Sequence, residues 1–258
     1  SGYARWFVIA ANNRADAVKT YSPWSTLTPT SPTVQSVQSD ICLRAGLTAS
    51  QFDVSALSAI TRDVDSFTWG DVSGARTPSE TLESLFFYEA TCTDKIYFYP
   101  RGRASVASIA FADLGAALDD GTKEQFELRK INDLELPAQL AVNFVNIDDD
   151  YQQGAEYSDR LTSTTAVSTE AMQLNAGLTP TDAKEIADVI LADRAATNLT
   201  TTVSLLGERA LLMPTDVVTV TDSDGTAYRM RIVKITDSFP MIEADLVLDD
   251  TASLESQR

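Results

Sequence analysis

Two periodicities run along the chain, and together they divide it into strands and helices. Residues 3–11, YARWFVIAA, alternate imperfectly and predict a strand already under way. Residues 20–33 carry three prolines and many hydroxyls and predict an extended connector. Ser31 as N-cap and Pro32 at N1 then open a helix, on which Val34, Val37 and Ile41 recur at helical spacing beside Cys42 and Ala45. Gly46 ends it as a C′ glycine. Phe52, Val54 and Leu57 make a short apolar patch, and a polar stretch leads to Phe67 and Trp69. Thr77-Pro78-Ser79-Glu80 reads as a capping box, with Thr77 at the cap and Leu82, Leu85 and Phe86 on the helix that follows. Lys95–Tyr99 sets Ile96 and Phe98 against Tyr97 and Tyr99, a strand, and Pro100-Arg101-Gly102 turns the chain. Val106, Ile109 and Phe111 suggest a short strand, and residues 112–124 read as a linker.

The most informative stretch is Leu136–Arg160. Leu140, Val142 and Phe144 fall on one face of a strand, and Ala141, Val145 and Ile147 on the other. A strand apolar on both faces belongs inside a sheet rather than at its edge. Phe126, Leu128 and Ile131 begin a strand leading into it. Asp148, Asp149 and Asp150 stop it, and a polar, aromatic run to Gly154 carries the chain out. The Ser/Thr-rich residues after Arg160 read as extended and partly exposed. Thr179-Pro180 starts the longest helix, with Ala183, Ile186, Ala187, Ile190 and Leu191 in one stripe. Thr200–Leu206 is a strand. Val218 and Val220 alternate up to a hairpin at Asp222-Ser223-Asp224-Gly225. Tyr228, Met230 and Ile232 alternate on the return, then Val233 and Ile235 take over, which predicts a bulge or a crossing between sheets. Ile242, Ala244, Leu246 and Leu248 form a last strand, and this closely spaced set fits a small barrel or sandwich.

Composition narrows the chemistry. The 258 residues contain no histidine, which removes the commonest general base and the Ser-His and Cys-His pairs. The formal charge of -17 opposes direct nucleic-acid affinity, because phosphates are repelled. No apolar run reaches the roughly 18 residues of a membrane span. No signal segment opens the chain, and its start inside a strand reads as a piece cut from a longer polypeptide. Cys42 and Cys92 form no disulfide framework and read as buried free thiols.

Several residues could carry chemistry, and each has a plainer explanation. Asp148–Asp150 could hold calcium but lack the D-x-D-x-D-G spacing, so a solvated strand end is favoured. The hairpin turn accounts for Asp222 to Gly225. Pro100-Arg101-Gly102-Arg103 could grip a phosphate or carboxylate, but a basic turn holding nearby acidic side chains is favoured. Paired carboxylates could make a glycosidase without histidine, yet among 37 acidic residues nothing singles out a pair. G-x-G-x-x-G, P-loop and G-x-S-x-G motifs are absent. Asn198-Leu199-Thr200 matches a glycosylation acceptor by chance. No catalytic, cofactor-binding or metal-ligating residue is assigned.

An ordered set of segments resembles the tail-tip or baseplate hub proteins of tailed phages and gene transfer agents. They are D-I-C-L-R-A-G-L at Asp40–Leu47, D-V-S-A-L at Asp53–Leu57, and the capped helix leading to Phe86-Phe87. Tyr99–Gly102, Leu136–Arg160, a long helix and Pro214–Val220 follow in order. The family often has Gly where this chain has Thr215, which bears on the local turn. The resemblance spans roughly residues 31–248. It implies a structural hub, typically a trimer, whose tube-like β domains continue the tail tube towards the receptor-binding parts. It implies as partners the distal tail, tail tube, tape-measure and receptor-binding proteins, a place in the virion tail after assembly in the bacterial cytoplasm, and no cofactor. The expected fold class is α+β: an α/β domain plus a tube-like antiparallel β-barrel or sandwich domain carrying one long helix. The expected division is 1–30 strand and connector, 31–125 α/β hub domain, 126–250 tube-like β domain and 251–258 tail, with the N-terminal strand able to join the second domain. The competing readings are a carboxylate-based glycoside or cell-wall hydrolase and a glycan-binding module. An exposed aromatic platform beside a carboxylate-lined cleft would favour either.

Overall fold

The computed structural model describes residues 32–67, 74–115, 126–130, 136–161, 167–206, 211–238 and 241–251. The expected strand at 3–11, the connector with its Ser31 cap, Trp69, Ile131 and the tail from residue 252 lie outside them.

The first helix, α1 (Val34–Arg44), is capped by Thr33 rather than Ser31. Its hydroxyl accepts from the Ser36 N–H at 3.3 Å. Gly46 closes the helix as expected, at φ +87°: its N–H donates to Leu43 O, and that of Leu47 to Cys42 O at 3.1 Å. After β1 (Phe52–Asp53), a 3₁₀ turn over Ser55–Ala59 buries Leu57, and β2 (Ser66–Phe67) follows.

The second helix, α2 (Arg76–Phe86), departs from its expected cap. Ala75 is the N-cap, in the αR region and without a side-chain bond, so Thr77 lies inside the first turn. Glu80 does not reach back to the cap, because Arg76 holds its carboxylate at 2.7 Å. Leu82, Leu85 and Phe86 are buried as the stripe requires. The strands β3 (Tyr88–Cys92) and β4 (Ile96–Pro100) form a small sheet in the order β1-β4-β3. Cys42 is buried, but Cys92, at the end of β3, is exposed, against the expectation of two buried thiols.

The apolar residues near 106–111 give β5 (Ala107–Ile109) and a 3₁₀ turn at Phe111–Asp113. The expected linker contains β6 (Leu114–Gly115), and β7 (Arg129–Lys130) follows. The stretch from Leu136 gives β8 (Gln139–Asn146) and β9 (Gln152–Tyr157), and the Ser/Thr-rich run gives β10 (Thr169–Leu178). Their sheet runs β2-β10-β8-β9, so β8 lies inside it, parallel to β10 and antiparallel to β9. Gly154 lies opposite Phe144, and a Cβ there would sit 3.0 Å from the Phe144 ring. That close approach explains a glycine within the strand.

The long helix α3 (Pro180–Ala196) starts where Thr179-Pro180 predicts. Thr179 accepts from the Asp182 N–H at 3.1 Å. It packs on β8 and β9. The remaining strands are β11 (Leu199–Leu206), β12 (Val217–Thr221), β13 (Ala227–Ser238) and β14 (Met241–Leu248). They join β5, β6 and β7 in a seven-stranded sheet that curls as a half barrel, in the order β5-β12-β13-β14-β11-β6 with β7 also on β11. The β12–β13 turn is the expected tight hairpin, with Gly225 at φ +87° and its N–H donating to Asp222 O at 3.0 Å. The expected bulge is also present: register shifts between Ile232 and Lys234, leaving Val233 exposed and returning Ile235 to the core.

The class is α+β. Hydrophobic packing groups the elements differently from their order in the chain. One core joins α1, α2, β3 and β4 to β8, β10 and α3, through residues such as Leu82, Tyr88, Leu140, Phe144, Ile186 and Leu191. The other lies within the half barrel, around Ile109, Val203, Leu205, Val218, Met230 and Leu246. The long helix therefore packs with the first core.

Candidate functional site

The densest polar arrangement is a seam of arginines and carboxylates along the turn that leaves β4. Pro100 ends the strand, and Gly102 at φ +69° redirects the chain between Arg101 and Arg103. Arg101 reaches Glu89 on β3 at 3.0 Å and Asp193 on α3 at 2.7 Å. Glu89 is also paired with Arg231 of β13, which is buried. One carboxylate thus holds a guanidinium from the turn of the first core and another from the half barrel. Arg103 donates to Thr215 O at 3.0 Å and to Asp216 at 3.3 Å, with its guanidinium 3.9 Å from the centre of the Tyr99 ring. Arg229 pairs with Asp249 at 2.8 Å and donates to the carbonyl of Arg103.

This arrangement decides the reading of the Pro100–Arg103 motif. Its guanidiniums are engaged by the chain's own carboxylates and carbonyls, so the turn fastens rather than captures. Charge-assisted bonds are strong and directional, but burying them costs desolvation, which pushes Arg231 below the usual guanidinium range. Their contribution is to fix geometry between elements distant in sequence.

Thr215 belongs to the same seam. It is a β-branched residue at φ +79°, in the region that favours glycine. Its N–H donates to Ile232 O at 2.8 Å, and Arg103 grips its carbonyl. The turn therefore adopts the glycine-type conformation without the glycine.

Beside the seam, between α2 and α3, lies a cleft of about 310 Å³ lined by Glu80, Glu83, Phe87, Arg101, Ile190 and Asp193. Burial raises the pKa of Glu83, partly offset by a bond from the Ser79 hydroxyl at 3.3 Å. Burial also raises Asp193, against the pull of Arg101. Beneath α2 runs a buried polar chain: Tyr88 OH donates to Gln38 at 2.7 Å, and Gln38 donates to Ser79 at 3.0 Å. Burial pushes the Tyr88 phenol well above its ordinary range.

The other candidates from the sequence lie apart from the seam. Asp148–Asp150 occupy the exposed β8–β9 turn, where Asp150 and Tyr151 have φ +46° and +61°. Asp222 and Asp224 form the β12–β13 turn, and Asp224 accepts from the Thr226 N–H at 2.8 Å. Asn198 is buried at 4%, which sequesters the glycosylation acceptor. Tyr97 and Tyr99 stack with rings 5.9 Å apart, but Arg103 covers Tyr99 and the Tyr97 hydroxyl donates to Asp94 at 3.0 Å. Among the described residues no three carboxylates or thiols converge to hold a metal ion, and no helix is long and apolar enough to cross a membrane.

The fold has relatives of known structure. A chain of the virion of a native gene transfer agent particle is similar at a TM-score of 0.78 and 20% identity, over 96% of this chain and 55% of that one. A tail protein from Neisseria meningitidis MC58 is similar at a TM-score of 0.56 and 10% identity, over 86% and 69% of the two chains. The 43 kDa tail protein of prophage MuSo2 from Shewanella oneidensis is similar at 0.55 and 11%, over 93% and 69%. The chain thus spans just over half the length of the gene transfer agent chain. At these identities the likeness shows the fold. No curated protein matches the chain. The family model described as "Putative phage tail protein" matches residues 80–235, more than half of the sequence and a span that contains Arg101, Arg103, Arg229 and Arg231 of the seam. The chain belongs to this family of phage tail proteins, and its place is the virion tail.

Proposed function

We propose that the chain is a non-enzymatic building element of the tail-tip hub, acting as one of several copies, most simply three, arranged around the tail axis. The observation that carries this reading is the half barrel. Among the described residues its sheet ends in the very short strands β5 and β6, three and two residues long, and does not close on itself. Closure removes exposed edges in tubular sheets, and a ring of copies supplies it with one repeated contact. The seam supports the same role, because charge-assisted bonds hold the half barrel at a fixed angle to the first core. The neighbours of such a hub are the distal tail, tail tube, tape-measure and receptor-binding proteins, met during assembly in the bacterial cytoplasm.

In this setting the exposed carboxylate turns, Asp148–Asp150 and Asp222–Asp224, face the channel. Duplex DNA carries about one negative charge per 1.7 Å, so an acidic wall repels it and lets it slide, whereas a basic wall would hold it. Imaging of intact particles tests both parts. Several copies on the tail axis, with these turns inward, are expected. A single copy, or a position away from the axis, removes the hub role; outward turns remove the channel role alone.

A further inference from the structure

The two walls of the cleft between α2 and α3 rest on different sheets. Helix α2 packs on α1 and β3, and α3 packs on β8 and β9. The width of the cleft can therefore change without breaking the main contacts of either helix. Each wall brings a half-buried carboxylate into the cleft, Glu83 from α2 and Asp193 from α3. Phe87, Met172 and Ile190 line it beside them and offer no replacement for the water those carboxylates lose. The nearby cations compensate only part of that loss. Arg101, in the turn after β4, meets Asp193 at 2.7 Å but is shared with Glu89. Arg194, beside Asp193 on α3, is held by Glu170 of β10 at 2.7 Å. Arg76, on the same helix as Glu83, is held by Glu80 at 2.7 Å. Glu83 accepts the Ser79 hydroxyl at 3.3 Å. Asp249, beyond β14, adds a like charge towards Asp193, and Glu80 adds one towards Glu83. Burial dominates at both carboxyls and raises both above the usual range.

We infer that this cleft is a proton-operated joint, which closes when Glu83 and Asp193 take up protons and opens when they lose them. A carboxyl that is more basic in the closed cleft than in an open, hydrated one binds its proton more tightly in the closed form. Falling pH therefore favours closure. Closure is fully favoured below the hydrated values, about 3.9 for Asp and 4.3 for Glu, and that preference is lost as pH rises through the closed-cleft values. The movement reaches the half barrel through Arg101, because Glu89 at its other end also holds Arg231. The joint works in one chain, whatever the number of copies around the tail axis.

Distance measurement between two spin labels on the 258-residue chain tests this. Labels at Thr77→Cys on α2 and Glu185→Cys on α3, both exposed positions, report the separation of the helices, with Cys92→Ser removing the exposed native thiol. From about pH 8 down to about pH 4.5, still above the hydrated carboxyl values, the mean distance is expected to shorten by about 1–2 Å, the scale of a helix shift. The double variant Glu83→Gln/Asp193→Asn carries neutral side chains at every pH and is expected to hold the short distance throughout. Asp148→Asn, in the exposed β8–β9 turn, is expected to leave the response unchanged. If the double variant does not fold, Glu83→Gln alone is the substitute and is expected to weaken the response. A distance that stays constant with pH, one that lengthens as pH falls, or a response retained in full by the cleft variants overturns the inference.

Discussion

Glu89 offers the sharpest test of the arginine seam, because two guanidiniums depend on one carboxylate. Arg101 lies 3.0 Å from it, and Arg231 pairs with it from the half barrel. Side-chain exposure is 22% for Glu89, 24% for Arg101 and only 8% for Arg231. Glu89→Ala leaves Arg231 charged, buried and short of its main counterion. Removing one partner of a fully buried pair costs about 3–5 kcal/mol. Two features reduce that here: solvent reaches Glu89, and Asp249 still acts on Arg231 electrostatically. The expected cost is about 2–3 kcal/mol, or a fall in Tm of about 4–12 °C for a chain of this size.

Arg231→Met makes the opposite change. It removes the buried cation, fills its space with an apolar chain, and leaves Glu89 paired with Arg101. The cost is expected to be about 1 kcal/mol or less, since apolar replacement of a buried ion is often neutral. The asymmetry between the two variants is therefore the diagnostic result. It is read from denaturant midpoints followed by far-UV and near-UV circular dichroism; Tyr88, Tyr97 and Tyr99 report on the first core and Tyr228 on the half barrel. If Arg231→Met costs as much as Glu89→Ala, or Glu89→Ala costs nothing, then Glu89 is not the shared counterion and the fastening argument fails.

Three further outcomes follow from single residues. Thr215→Gly relieves a β-branched residue at φ +79°, a strain of about 1–3 kcal/mol, partly offset by the entropy of glycine in the unfolded chain; a higher denaturant midpoint is expected, and a lower one would show that the turn is not strained. Gly154→Ala places a methyl 3.0 Å from the buried Phe144 ring and is expected to cost about 1–3 kcal/mol, measured by the same unfolding curves, with no loss arguing against close packing there. Burial raises the pKa of Glu83 in the folded chain, so its contribution to stability is full below the unfolded value of about 4.3 and is lost as pH rises through the folded one. Glu83→Gln should accordingly be more stable than the parent at pH 7, with the gap closing towards pH 4; a gap independent of pH would contradict the assignment to Glu83.

Legibility in the sequence followed from how local each cause is. The place of β8 inside its sheet, the start of α3 at Thr179-Pro180, the glycine that ends α1 and the Gly225 hairpin each depend on a few neighbouring residues. Apolar periodicity or one backbone preference was enough for them. The Val233 bulge was legible for the same reason, since the apolar alternation changes phase there. The start of α2 was not. Thr77 and Glu80 have the capping-box spacing, but the competing ion pair from Arg76 to Glu80 is a side-chain preference that spacing does not reveal. Cys92 was misjudged because its exposure depends on its being the last residue of β3, an end that no residue pattern marks.

The seam was illegible for a different reason. Its bonds span 92 residues between Arg101 and Asp193 and 113 between Arg103 and Asp216. Alternation places Met230 and Ile232 inward and therefore Arg229 and Arg231 outward, which reads as a solvated face. Outward from the half barrel is not outward from the molecule, because Glu89 of the first core meets Arg231 there. A buried arginine then needs a carboxylate of fixed position, and Glu89 needs Arg101, so the turn after β4 is held where Arg103 can reach Thr215. The one trace of this in the sequence is Thr215 itself, standing where the family often has glycine. Its left-handed backbone is required by the turn, its carbonyl is held by Arg103, and its own N–H is taken by Ile232. Loosening Arg103 should thus be felt first at Thr215, the strained residue that depends on its grip, before it is felt in either hydrophobic core.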